Sequence, residues 1–528
     1  MLDDPSWTLM AACAAHARSR PTHPAVVCED RSVDYAWIHR TSNRAAHALL
    51  TDGVRRGDRV AYLGLESEYY FTLFLACAKV GAVMVPINWR LTAREVAHIL
   101  RDSGAVELFV ETRFQETAEV LAPELPALHH TVRTDRAGDP DPGAGLFDWW
   151  RDHPEDDLDP GTGPGDAVVQ IYTSGTTGLP KGAVISHRAF FTLPAAMRAA
   201  GKEWIDWRPE DVSLISLPGL GTAGIGWFFL GFGHGLTNVV MRMFLAQEAV
   251  RLIREKRVTT TFIAPSMLHL ILDEPDASPA AFTSMRKIVY GGAPMPANLM
   301  LRCLEMFDCE FAQIYASTEC GAAAVCLPPE DHRPGPLLRS AGRACPGNEL
   351  KIVDGTGRTV PPGVIGQVCV RTPAVMLGYW NLPEANRRTL VDGWLHMGDN
   401  GYVDEQGYLF VGDRINDTII VAGQNVYPAE IELQLAEHPS VRDVAVVGVP
   451  DEKWGELVHC CVVALPGTTP SPRELTLFLR GRLADYKIPS TYHFVPTLDR
   501  NPAGKVLRRT IRERLLAQQQ LQGVLSND

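Results

Sequence analysis

The stretch YTSGTTGLPKG, Tyr172 to Gly182, concentrates the residue types that hold a polyphosphate. Gly175, Gly178 and Gly182 let the backbone turn tightly with its N–H groups exposed. Thr173, Ser174, Thr176 and Thr177 add hydroxyl donors and Lys181 a positive charge, so the segment reads as an anion cradle. It departs from the Walker form, because Pro180 precedes Lys181 where that motif needs glycine. A flexible Gly/Thr surface loop is the simpler alternative. A second cluster, QIYASTEC over 313–320, ends a strand-like run in Tyr315, Ala316, Ser317, Thr318 and Glu319: a ring, two hydroxyls and a carboxylate. Ser186, just beyond the first loop, is placed to cap a following helix.

Such groups need a scaffold, and the chain supplies one. Helical spacing in SNRAAHALLTDG (42–53) is followed by an apolar strand, DRVAYLGL (58–65), a second helix, EYYFTLFLACAKVG (68–81), and a second strand, AVMVPIN (82–88). Strands alternating with helices imply a parallel, doubly wound sheet. Stretches rich in Pro, Gly and Asp between 134 and 166 mark surface connections before the pattern resumes at AVVQIYTSG (167–175). After Gly393 closely spaced turn signals separate short strands, and after Arg414 a smaller α+β unit begins. There, helices are predicted over 428–439 and 472–486, strands over 441–450 and 457–465, and a frayed polar tail over 517–528.

The totals exclude several classes. At 528 residues and 46% hydrophobic composition the chain buries a large core. Its formal charge of −12 offers no basic field for a nucleic acid, so any anionic ligand must be held by local groups. Eleven scattered cysteines without a CxxC pair suggest reduced thiols and a cytoplasmic protein. The N-terminus is acidic before it is apolar, the reverse of a signal peptide. From Leu214 to Met241 only His234 can carry charge, but Pro218 and seven glycines argue for a buried segment rather than a membrane span.

YTSGTTGLPKG closely resembles the phosphate loop of adenylate-forming enzymes, the superfamily of acyl- and aryl-CoA synthetases, luciferases and peptide-synthetase adenylation domains. The resemblance continues in the family's order through YGGAPM (290–295), YASTE (315–319), GWLHMGD (393–399), DRINDTIIVAGQNVYPAEIE (413–432) and NPAGKVLRR (501–509). It implies a large N-terminal domain of doubly wound sheets with a β-rich subdomain (1–412), a hinge (413–417) and a small α+β domain (418–528) that rotates. The implied reaction displaces pyrophosphate from ATP with a carboxylate, then lets the coenzyme A thiol expel AMP.

By the same resemblance, Glu319 binds Mg²⁺ bridging the ATP phosphates and Thr318 touches the α-phosphate. The loop from Thr173 through Lys181 holds the outer phosphates. Gly291, Gly292 and Ala293 let adenine lie against backbone opposite Tyr315, with Gln313 and Ala316 beside it. Asp399 and Arg414 reach the ribose, and Lys505 neutralises charge developing during adenylation. Gly423, Gln424 and Asn425 border the pantetheine channel after rotation, and Asn416 stands at the hinge where the family usually has Asp or Lys. Lys487 is a weaker candidate near this route.

Residues 216–236 match the family's carboxylate pocket, where Gly219, Gly221 and Gly224 remove side-chain volume and Trp227, Phe228 and Phe229 supply apolar walls. Gly221 stands where related synthetases often place His. A bulky hydrophobic acid is the expected substrate, although glycines that only permit close packing are the alternative. No Asp occurs between Asp211 and Asp273, which argues against an amino acid as substrate. Ala316, where the family usually has Gly, raises the alternative of an enzyme impaired in adenylation that thioesterifies a ready-made acyl-adenylate. A catalytically silent binding homologue is the third reading, and a homodimer is a compatible assembly.

Overall fold

Short β-branched runs bounded by turn residues become the central strands of two large sheets in the computed structural model, which describes residues 6–525 except 137, 140, 142, 174–179, 294, 415, 416, 418, 422, 423, 452–454, 484 and 501–505. The first sheet has nine strands, with Val212–Ile215, Thr237–Val240, Thr260–Ile263, Lys287–Gly291 and Glu310–Tyr315 running parallel at its centre. In the second, of seven strands, Arg59–Leu63, Val83–Ile87, Glu107–Val110 and His130–Arg133 are parallel, while Ala167–Thr173 and Lys181–Ser186 form an antiparallel pair.

The helices Glu68–Val80 and Thr222–Gly233 join the two sheets through one apolar cluster. Phe71 stacks on Phe228 with ring centroids 3.4 Å apart, and Phe229 packs on Phe74 and Phe190. The uncharged stretch from Leu214 to Met241 is therefore strand, helix and strand within this core. No helix among the described residues is long and apolar enough to cross a membrane.

A third sheet of five strands, built from Glu349–Val353, Gly366–Arg371, Leu390–Val391, Trp394–Val403 and Leu409–Arg414, is the β-rich part. Beyond it, Ile419–Val421, Gln424–Val426, Val441–Asp451, Gly455–Ala464 and Thr491–Phe494 make a fourth sheet with its own apolar clusters.

Three local expectations fail for identifiable reasons. The helix predicted over 472–486 stops at Leu479, because Arg480 turns extended and Gly481 adopts φ +76°. Over 517–525 the tail is helical rather than frayed, part of a helix Arg508–Leu525 whose first turns buried Ile511 and Leu515 anchor; 526–528 lie outside the described residues. Ser186 precedes a 3₁₀ turn, His187–Phe190, without a side-chain capping bond. All eleven cysteines are free thiols.

The Phe71–Phe228 contact makes a direct prediction. Phe228→Ala should lower the stability of the large body by about 3–5 kcal/mol, read as a reduced urea midpoint.

Candidate functional site

Parallel strands deliver their carboxyl ends to one edge, and the chemistry-bearing residues follow those ends. Thr173 closes its strand directly opposite Lys181, which opens the next, so the glycine loop is the connection of a hairpin. Ser174, Gly175, Thr176, Thr177 and Gly178 lie outside the described residues. Both arms of the hairpin are braced. Tyr172 donates its hydroxyl to Asp102 Oδ2 at 2.6 Å and accepts from Gln170 Nε2 at 2.9 Å; burial, with Asp102 adding to it, pushes the phenol well above its ordinary pKa. His98 Nε2 donates to the Pro180 carbonyl at 2.9 Å. Trp380 donates its backbone N–H to Gly182 and its indole N–H to the Asp102 carbonyl, while the Arg59 guanidinium lies 3.4 Å over its ring.

The second cluster sits at the end of the strand Glu310–Tyr315. Tyr315 donates its hydroxyl to Asp399 Oδ2 at 2.6 Å, which brings together two residues 84 positions apart. Asp399 in turn pairs in register with Arg414 across adjacent strands. Glu319, in the 3₁₀ turn Thr318–Cys320, accepts at Oε1 from the Tyr379 hydroxyl at 2.7 Å, and the Tyr379 ring centroid is 5.5 Å from Lys181 Nζ. Sequence reasoning missed Tyr379, Trp380, Asp102, His98 and Gln170, because no short motif links them to the residues they hold. Gln313 accepts from the Tyr290 hydroxyl at 3.2 Å on the neighbouring strand.

Gly291 and Gly292 are glycines for different reasons. A Cβ on Gly291 would lie 2.4 Å from the Ile314 carbonyl oxygen, whereas Gly292 has open space but φ +81°. Ala293 follows, half-buried. Ala316 is exposed and its φ is not in the left-handed region, so the backbone itself does not require glycine there.

The glycine-rich pocket segment divides in the same way. A Cβ on Gly224 would meet the Pro218 carbonyl oxygen at 2.3 Å, and one on Gly219 would meet Glu66 Cγ at 3.0 Å; close packing accounts for both. Gly221, which N-caps the helix Thr222–Gly233, faces nothing nearer than 3.8 Å, and Gly226 on the same helix is open. Phe228 and Phe229 turn into the core, and Trp227, 2% exposed, packs on Trp207 and Phe262. Tyr70 donates to the Gly219 carbonyl at 2.7 Å. Beside it Glu66, 3% exposed, has burial pushing its carboxyl up to about 8, and its Oε1 has no hydrogen-bond partner among the described residues.

In the last sheet, Gln424 and Asn425 belong to a strand paired with Ile419–Val421. Gly423, Lys505 and Asn416 lie outside the described residues. Lys487 is held in a bidentate ion pair with Glu430, both oxygens at 2.7 Å, and is occupied structurally. Among the described residues no three His, Cys, Asp or Glu side chains gather as a metal cage. Glu319 alone suits a hard cation that takes its remaining ligands from phosphate and water, the usual manner of Mg²⁺.

The chain is similar to known proteins over most of its length. The family model for the AMP-binding enzyme matches residues 13–380, and the model for the AMP-binding enzyme C-terminal domain matches 430–505. The chain is 50% identical over 509 residues to the fatty acid–[acyl-carrier-protein] ligase ScoC of Streptomyces coeruleorubidus, covering 96% of each. It is 35% identical to the feruloyl-CoA synthase of Amycolatopsis sp, covering 94% of this chain and 97% of that one. The crystal structure of the anthranilate CoA ligase AuaEII with anthranoyl-AMP superposes with a TM-score of 0.87 at 29% identity, over 97% of this chain and 98% of that one.

The glycine assignments separate experimentally. Gly224→Ala should cost about 1–3 kcal/mol of stability through overpacking, while Gly221→Ala should cost no more than about 1 kcal/mol, the loss of a favourable N-cap residue without any clash; equal effects would remove the distinction between them.

Proposed function

This chain belongs to the AMP-binding, adenylate-forming enzymes and is an AMP-forming acid–thiol ligase, and we propose that it activates a bulky hydrophobic carboxylic acid for transfer to coenzyme A. The observation that carries the nucleotide site is the convergence of Lys181, Glu319 and Tyr379 in one set of contacts, with Tyr315 and Asp399 joined beside them. In this reading adenine stacks on Tyr315 against the Gly291–Ala293 backbone, with Gln313 and Ala316 beside it. Asp399 and Arg414 hold the ribose, Thr318 donates to the α-phosphate, and Lys181 with the loop from Thr173 holds the outer phosphates. Mg²⁺ on Glu319 supplies neutralisation of phosphate charge.

Adenylation then needs little more than positioning. The acid's carboxylate attacks the α-phosphorus in line with departing pyrophosphate, and Lys505 offsets the charge that accumulates between them. The small domain, 418–528, turns about 413–417 at Asn416 and brings Gly423, Gln424 and Asn425 to the thiol's path. The Arg339–Glu437 ion pair, 3.1 Å long and exposed on both sides, joins the two bodies. At about 0–1 kcal/mol such a pair is too weak to prevent the turn. The open space at Gly221 and Gly226 supports a large acid.

A carrier-protein thiol is the second reading for the acceptor, favoured by the 50% identity to a fatty acid–[acyl-carrier-protein] ligase. Both acceptors present the same thiol chemistry. The impaired-adenylation alternative is weakened by the exposed, unstrained setting of Ala316, which leaves only a clash with reactants to support it.

With ATP and a panel of long-chain, aromatic and polycyclic acids, the protein should release pyrophosphate only when an acid is present, and coenzyme A or a phosphopantetheinylated carrier should then take the acyl group. Lys505→Ala should lower adenylation roughly 10²–10³-fold while a synthetic acyl-adenylate is still converted to thioester. Ala316→Gly should change pyrophosphate release by less than about threefold; a rise near a hundredfold, the scale of a 1 Å misplacement, would instead identify an enzyme impaired in its first step.

A further inference from the structure

We propose that Tyr379 is a positioning residue for the ATP-consuming half-reaction, setting Glu319 and Lys181 in one frame. The inference rests on the nucleotide-site reading above and deepens it. Tyr379 belongs to neither phosphate-facing motif, yet its backbone is fixed on both sides. Gly378 and Tyr379 pair antiparallel with Val184 and Ala183, three and two residues beyond Lys181, and the next residue, Trp380, donates its N–H to the Gly182 carbonyl at 2.8 Å. On the other side Asn386, from the helix Pro383–Thr389, grips the Tyr379 peptide twice. Tyr379 N–H donates to Asn386 Oδ1 at 2.6 Å, and Asn386 Nδ2 donates to the Tyr379 carbonyl at 3.0 Å. Gly378 is at φ +144°, where an added Cβ would lie 3.0 Å from the same Asn386 amide, so the segment has no slack.

From that anchored backbone the side chain reaches two charged groups of opposite sign. Its hydroxyl donates to Glu319 Oε1 at 2.7 Å, and its ring centroid lies 5.5 Å from Lys181 Nζ, within range of cation–π attraction. The carbonyl of Glu319 accepts from Met376 N–H at 2.9 Å, so backbone and carboxylate of Glu319 are both held by residues 376–379. A carboxylate that accepts a fixed donor at one oxygen keeps a defined orientation for its other lone pairs. One side chain thus sets the spacing of the carboxylate and the ammonium that face the ATP phosphates.

Tyr379 makes and breaks no bond. In the first half-reaction an oxygen of the acid's carboxylate bonds to the α-phosphorus and pyrophosphate leaves with the electron pair of the broken P–O bond. In the second, the thiol sulfur bonds to the acyl carbon, its proton goes to solvent, and AMP leaves. Pyrophosphate has already departed by then, so Glu319 and Lys181 matter to the first step alone, and loss of Tyr379 should be selective for it.

The test uses the full-length protein with Tyr379→Phe and Tyr379→Leu. Tyr379→Phe should lower acid-dependent ATP–pyrophosphate exchange about tenfold to a hundredfold, the scale of one charge-assisted hydrogen bond. Conversion of a synthetic acyl-adenylate to its coenzyme A thioester should stay within about twofold of wild type. Calorimetric titration with ATP should show the Phe variant losing most of the affinity that Mg²⁺ adds, and Tyr379→Leu should weaken binding further by removing the ring from Lys181. Exchange and Mg²⁺-dependent ATP binding both within about twofold of wild type would overturn the inference. So would equal loss in both half-reactions together with a lowered unfolding midpoint, which marks a merely structural role. Wild-type protein that exchanges pyrophosphate with no acid would count against the broader adenylation reading, and the ATP titrations would still decide for or against Tyr379.

Discussion

The stack of Phe71 on Phe228 is the contact on which the rest of the large body depends. It joins the two helices that pack between the sheets, and the strands that end at Thr173 and Tyr315 belong to those sheets. Rings in this arrangement are constrained in separation and tilt as well as in burial. Lys181 on one sheet and Glu319 beyond the end of the other both meet Tyr379, across the packing that holds the two sheets together.

Charge is handled locally throughout. A chain of net charge −12 cannot draw an anionic nucleotide by its overall field, and the carboxylates it places at the site would repel phosphate if left bare. Each is therefore met by a hydroxyl donor, Tyr379 at Glu319 and Tyr315 at Asp399. Deeper in the fold the opposite solution appears: Glu66 has no ion pair among the described residues, and burial favours its neutral form.

The glycines show why residue type alone is an incomplete guide. Gly224 and Gly291 avoid backbone oxygens within 2.4 Å of where a Cβ would stand, Gly292 serves a left-handed turn, and Gly221 faces open space. A single letter thus carries three physical meanings, and at Gly221 and Gly226 the absence of a side chain leaves room for something else. Ala316 is the converse case: a departure from the family pattern that is local in sequence and unstrained in structure.

Alternating strands and helices and the closely spaced short strands after Gly393 were legible in the sequence, because periodicity and turn chemistry are local properties. Lys181, Tyr315, Glu319 and Asp399 were singled out through motifs of a few residues each, and the structure adds the bond from Tyr315 to Asp399 and the contacts of Tyr379 with Glu319 and Lys181. The failures were also local in origin but tertiary in cause. The helix ending at Leu479 is cut by the backbone of Arg480 and Gly481, and the tail helix persists because Ile511 and Leu515 find a buried face. What only the tertiary structure decided is which distant groups hold the motif residues: Tyr379 on Glu319, 60 positions away, Asp102 on Tyr172, 70 away, and Trp380 on Asp102, 278 away. Composition and spacing carry no trace of such contacts. They exist because two sheets packed through one aromatic layer bring strand ends to a common edge, a relation that no short stretch of chain contains.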